Sequence, residues 1–169
     1  IEGVRVAALC DVDSEHLGPE IERLKEQNQA VEGYSDARRI LDNKSIDAIV
    51  IVTPNHWHSL LTVWGCQAGK DVYVEKPVSH NIREGRKMVE AARKYNRIVQ
   101  AGTQSRSDGG LKNAFEYIQQ GNLGKMLLVR GICYKRRASI GKVDGPQPIP
   151  QSVDYNLWCG PAPKVPLMR

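Results

Sequence analysis

Short apolar runs alternate with stripes of apolar residues at helical spacing along most of the chain. "VRVAAL" (4–9) reads as a buried strand closed by Cys10 and Asp11. Ser14 offers an N-cap, and Leu17, Ile21 and Leu24 then fall on one helical stripe, with Pro19 placed to be the first regular helical residue. "AVEGY" (30–34) suits a short strand, and Ser35 can cap a short helix carrying Ala37, Ile40 and Leu41. "DAIVIVT" (47–53) is the clearest buried strand, closed by Pro54. A helix over 56–68 follows, ended by Gly69 as a C′ glycine, and "DVYVE" (71–75) is the next strand. Asn81 and Glu84 form a capping box before a helix whose inward residues are Ile82, Met88, Val89 and Ala92. "RIVQAG" (97–102) is a further strand, and a helix near 110–120 should turn Leu111, Ala114, Phe115 and Ile118 inward. Strand and helix in alternation with short connections predict a parallel, doubly wound α/β sheet.

The style changes after Gly124. "KMLLVRGICYKRR" (125–137) alternates imperfectly and reads as the first strand of a different unit. Six prolines between 146 and 166 then predict an irregular, extended tail rather than helix over 138–169. The domain expectation is therefore an α/β domain over 1–124 and the start of a second, α+β domain over 125–169.

Composition narrows the function classes. Of 169 residues, 41% are hydrophobic and 25% charged, a globular balance. No apolar run approaches the roughly 20 residues of a membrane helix, so no membrane partner is expected. The net charge of +5 comes from scattered Lys and Arg, and aromatic residues make up only 6%. That combination offers neither a basic stripe nor a stacking platform for nucleic acid. Cys10, Cys66, Cys133 and Cys159 form no C-x-x-C pair, which argues against a zinc site and suits scattered thiols.

In an open parallel sheet, ligands bind beyond the carboxyl ends of the strands. The residues there are all chemically capable. Asp11 can accept hydrogen bonds from a ribose diol or cap its own loop; the absence of an adjacent base (Val12 and Asp13 follow) favours NAD over NADP. Pro54 biases Thr53 toward extended backbone, and Asn55 and His58 follow on the next helix. His56 and His58 sit at i, i+2 and diverge on a helix, so no metal is expected. Trp57 and Trp64 are packing residues. Glu75, Lys76 and Pro77 end the next strand, either as a solvated charge pair or as a rim that presents a lysine to a reacting oxygen. Partial burial of Lys76 would lower its pKa and let it shuttle protons. Thr103-Gln104-Ser105-Arg106 completes the set.

"TPNHWH" (53–58) followed by "GKDVYVEKPVSHN" (69–81) resembles the Gfo/Idh/MocA family of NAD(P)-dependent oxidoreductases. "LCDVD" (9–13), "AGTQSRS" (101–107) and "DYNLWCGPAP" (154–163) extend the resemblance over the chain. It implies a Rossmann domain that binds the dinucleotide and a second domain that covers the substrate. It implies that Asp11 meets the adenosine ribose, that Thr53, Pro54, Asn55, His58 and Gln104 line the cofactor, and that Glu75 lies near the nicotinamide ribose. Lys76 would touch substrate at the reacting carbon, and Trp158 would come from a segment that returns toward the cofactor. The implied reaction is hydride transfer between nicotinamide and a sugar or cyclitol hydroxyl or ketone, in a protein that forms a homo-oligomer when full length. An NAD-dependent glycoside hydrolase or lyase, and a non-catalytic nucleotide-binding protein, are the alternatives; Lys76 argues against both.

Two departures stand beside the match. The chain contains no G-x-G-x-x-G, and only ten residues precede Asp11. The family's second-domain Asp and His would lie beyond Arg169. The expectation is an internal fragment of a longer enzyme, inactive alone, with a Rossmann-type sheet that lacks its first strand. The strands at 4–9 and 47–53 should then be separated by a gap or pair non-natively. A cytoplasmic parent is favoured, though an exported one is compatible.

Overall fold

The computed structural model describes residues 3–168. They form two compact units, 3–102 together with Gly145–Met168, and Thr103–Asp144.

The first unit follows the alternation in the sequence. In order it contains β1 (Ala8–Cys10), α1 (Ser14–Glu26), β2 (Glu32–Tyr34), α2 (Ala37–Asp42), β3 (Ala48–Ile51), α3 (Asn55–Gln67), β4 (Asp71–Glu75), α4 (Ile82–Lys94) and β5 (Val99–Gly102). All strand pairings are parallel. β1 pairs with β2, Leu9 opposite Gly33. β4 lies between β3 and β5, with Val74 opposite Ile51 and Ala101. Among the described residues no ladder joins β1 to β3, so the sheet is in two pieces, with the gap where the sequence predicts a strand to be missing.

The core sits on one side of the β3–β4–β5 piece. Val72 and Val74 alternate inward along β4 and meet Ile51, Leu61, Cys66, Met88 and Ala91 from β3, α3 and α4. A buried Val or Ile contributes about 1.5–3 kcal/mol relative to an exposed one, so this cluster holds the two helices to the sheet. The opposite side is barer than expected. β3 reads as a fully buried strand, yet Val50 is 69% exposed, because no described element covers that side of it.

Local chemistry sets the boundaries. Asp13, not Ser14, caps α1, its carboxylate accepting the Glu15 N–H at 3.0 Å. Pro19 lies inside the helix rather than at its start. Its ring removes the bond to the Glu15 carbonyl on an exposed side, where water can take over. The α3 end is a Schellman motif: Lys70 N–H reaches the Gly65 carbonyl at 2.9 Å and Gly69 N–H the Cys66 carbonyl at 3.1 Å. Gly69 has φ +78°, which favours glycine. The next side chain is buried and anchors the turn. Lys70 Nζ donates to the carbonyls of Asn43 (2.5 Å) and Ile46 (2.7 Å), and burial holds its pKa below the usual lysine value. The Asn81–Glu84 capping box forms as read, Glu84 N–H to Asn81 Oδ1 and Asn81 Nδ2 to Glu84 Oε1, both 3.0 Å. Ile82 of that helix is not inward, however; it is 93% exposed, and Ala91 is buried beside Met88.

Residues 151–160 form a strap on the first unit. Ser14 N–H donates to the Ser152 carbonyl at 3.0 Å and Asp154 N–H to the Val12 carbonyl at 2.9 Å. Asp154 then caps a short helix, α5 of this unit (Tyr155–Cys159), where extended chain was expected. The prolines flank this turn but do not interrupt it, and the Asp154 carboxylate accepts the Leu157 N–H at 2.9 Å.

The second unit carries a 3-10 turn (Gln104–Ser107) and a helix, α6 (Gly109–Gln119), then irregular chain. The stripe expected inward is largely exposed, Phe115 at 60%. The strand expected over 125–137 is absent, since an isolated segment has no partner for its backbone groups.

Candidate cofactor and active site

Three of the predicted rims lie in the first unit, each placed by a strand end. Beyond β1, Asp11 N–H donates to the Tyr34 carbonyl at 3.2 Å, and Asp11 Oδ1 accepts the Asp13 N–H at 2.9 Å. One carboxylate oxygen thus fixes the loop. A cavity of about 320 Å³ lies here, lined by Asp11, Ser14, Ser35, Ser152 and Asp154. The strap therefore supplies one wall beside the acid, a contribution that the strand-end rule does not reveal because those residues lie about 140 positions away.

Beyond β3, Pro54 opens α3 with no side-chain cap, and Asn55 is exposed at its first position. Thr53 Oγ1 is buried without a hydrogen-bond partner. A buried unpaired hydroxyl is unusual and suits a site that a polar ligand completes.

Beyond β4, Glu75 turns back on itself: Oε2 accepts the Lys76 N–H at 3.0 Å. Its carboxyl lies against β5, where only a glycine leaves room. A Cβ at Gly102 would come within 2.9 Å of the Glu75 carboxyl carbon and 3.0 Å of its Cα. Lys76 itself is exposed, so the partial burial expected for it is not supplied by this chain. The Lys76–Pro77 peptide is cis.

His58 is placed differently from its neighbours in the motif. It is only 1% exposed. Nδ1 lies 2.7 Å from the Pro77 carbonyl oxygen and Nε2 lies 2.8 Å from that of Thr53. His56 Nε2 is 2.8 Å from the Trp158 carbonyl, and Trp57 Nε1 donates to the Leu157 carbonyl at 3.0 Å. These contacts dock the strap on the start of α3. Trp158 is 41% exposed, stacks on Tyr155 at 5.7 Å and meets His56 edge-on at 5.4 Å. Trp57 and Trp64 pack edge to face at 6.2 Å beside the core, as packing residues should. Gln104 belongs to the second unit, where it begins the 3-10 turn.

Residues 2–103 match the profile of the oxidoreductase family with an NAD-binding Rossmann fold, Gfo/Idh/MocA. The chain belongs to that family. It is 27% identical over 130 residues to the myo-inositol 2-dehydrogenase of Thermotoga maritima, a match that covers 77% of this chain and 38% of the relative. It is 30% identical over 96 residues to the scyllo-inositol 2-dehydrogenase (NAD(+)) of Bacillus subtilis, covering 57% of this chain and 28% of that one. Among solved structures, the myo-inositol 2-dehydrogenase of Lactobacillus plantarum superposes with a TM-score of 0.68 at 30% identity, covering 75% of this chain and 37% of that protein. The scyllo-inositol dehydrogenase of Lactobacillus casei, solved with NAD(H) and scyllo-inositol bound, superposes with a TM-score of 0.66 at 25% identity over 73% of this chain and 36% of that one. The chain spans less than half the length of each of these Gfo/Idh/MocA relatives. The fold placement agrees with the Rossmann-type reading of the sequence, and the residues present fit an NAD-type ligand. Asp11 offers an acceptor with no base adjacent to it in sequence, and Thr53 Oγ1 is buried with no partner.

Proposed function

We propose that this chain is the cofactor-side part of an NAD-dependent dehydrogenase acting on a cyclitol or sugar hydroxyl, or on the matching ketone. The observation that carries the reading is that Asp11, Thr53 and Glu75-Lys76 each stand at the carboxyl end of a parallel strand, in a chain of the Gfo/Idh/MocA family. When bound, the nicotinamide supplies the hydride acceptor or donor. Asp11 accepts hydrogen bonds from the adenosine ribose diol and disfavours a 2′-phosphate. Thr53 Oγ1, Pro54 and Asn55 line the dinucleotide at the start of α3, with Trp158 adding a contact from the strap. Glu75 holds the nicotinamide ribose side. Lys76 donates to the substrate oxygen, stabilises its developing negative charge and carries its proton. In the whole protein the substrate is covered by a second domain that begins near residue 125 and supplies further acid–base groups. We place the whole protein as a homo-oligomer, which light scattering tests.

Lys76→Ala in the full-length protein tests the reading. Turnover of inositol or a related polyol should fall by about 100-fold or more, the usual worth of a positioned proton-transfer group. NAD affinity should stay within about twofold, since the residue faces substrate. An unchanged rate would assign the site to nucleotide binding alone.

A further inference from the structure

His58 is not needed to explain a cofactor rim, yet it is among the most completely buried side chains of the chain. Each ring nitrogen faces a backbone carbonyl, and the two carbonyls belong to different rims: Thr53 at the end of β3 and Pro77 just past β4. Carbonyls only accept, so a neutral ring, with one N–H, bonds one of the two, and a doubly protonated ring bonds both. The helix around His58 is set firmly. Thr62 Oγ1 donates to the His58 carbonyl at 2.8 Å. Ser59 Oγ donates to Glu84 Oε2 at 3.1 Å, and the same oxygen accepts the His80 N–H at 3.0 Å. The loop from Lys76 to His80 is therefore met near one end by His58 of α3 and held at the other by Glu84 of α4, whose carboxylate also takes the Ser59 hydroxyl. Pro77 has no N–H to offer, so its carbonyl is the group by which this part of the loop can be held.

We propose that His58 is a positioning residue. Through an Nδ1–H bond to the Pro77 carbonyl it fixes the backbone that presents Lys76, with Nε2 seated against the Thr53 carbonyl at the tip of β3; it touches neither cofactor nor substrate. The inference rests on the reading of Lys76 as the proton-carrying group. It differs from the cofactor-lining role that the motif resemblance implies for His58.

Two substitutions separate the contacts. The amide nitrogen of Asn can occupy the place of Nδ1 and keep the Pro77 bond. The amide nitrogen of Gln can occupy the place of Nε2 and keep the Thr53 bond. In the full-length protein, His58→Asn should retain a kcat at least about tenfold above that of His58→Gln, with the NAD Kd of both within about threefold of the parent. Amide exchange in the peptide spanning 75–81 should be about tenfold faster in His58→Gln than in His58→Asn. Equal losses of kcat with unchanged exchange, or a loss confined to NAD affinity, would overturn the proposal. If neither variant folds, the parent still decides. Ring-nitrogen NMR should find His58 Nδ1 protonated, and a bare Nδ1 cannot hold the Pro77 carbonyl. The exchange and ring-protonation measurements judge the clamp whatever Lys76→Ala does to turnover.

Discussion

Glu75 and Gly102 show how a single side chain is set by its neighbour. The carboxyl of Glu75 lies where a Cβ at position 102 would be, and the close atoms include backbone as well as a flexible tip. Gly102→Ala must therefore displace Glu75 or separate β4 from β5. We expect a loss of about 1–3 kcal/mol in chemical denaturation, the range for overpacking, and a crystal structure in which Glu75 has moved. Retained stability with Glu75 in place would contradict this geometry. Other single residues are legible only in part. Asp11, Glu75 and Lys76 stand at strand ends because the hydrophobic pattern ends there. The burial of His58 could not be read, since an i, i+2 pair of histidines says nothing of which ring turns inward. Among the thiols, Cys10 is held up to about 11, first by burial and then by Asp36 and Asp11.

Caps set where several of the helices begin. Asp13 and Asp36 each cap a helix, and both carboxyls sit below their usual value. Asp13 is lowered first by its hydrogen bond with Ser152, and Asp36 first by its bond with Arg38. A depressed carboxyl contributes stability that is present above the unfolded pKa and is lost as pH falls through the folded one. The chain should therefore lose thermal stability below about pH 4. An Asp13→Asn, Asp36→Asn variant retains neutral caps and should show a shallower decline between pH 5 and 3, read by melting curves. A decline identical to the parent's would place the acid sensitivity elsewhere. Ser14 was the nearer candidate for the first cap by sequence, and Asp13 takes the role because its side chain reaches the Glu15 N–H. Ile82 illustrates the reverse case: its spacing suits the inward stripe of α4, but it stands at the first position, ahead of the turn that meets the core.

At the scale of the whole molecule, the two units differ in how firmly they are built. The strap over 151–160 is bonded to α1 and α3 at several points, whereas 125–144 has no regular structure and exposes Leu127, Val129 and Ile140. Limited proteolysis of the 169-residue chain should cut first within 125–144, at Lys125 or Arg130 with trypsin, while Lys164 and the strap before it survive longer. With chymotrypsin, early cleavage at Tyr155, Leu157 or Trp158 would contradict the docking described for the strap. The alternation of strands and helices, their order, and the polar residues at each strand end were determined by the sequence itself, because the periods of 2 and 3.6 and the turn residues are local properties. Packing decided the rest. The side of β3 that remains bare, the exposed stripe on α6, the missing strand over 125–137 and the return of 151–160 to the first unit all depend on whether a partner surface is there. So does the burial of His58 between the Thr53 and Pro77 carbonyls. No local pattern encodes these, because each is fixed by hydrogen bonds and contacts between residues far apart in the chain.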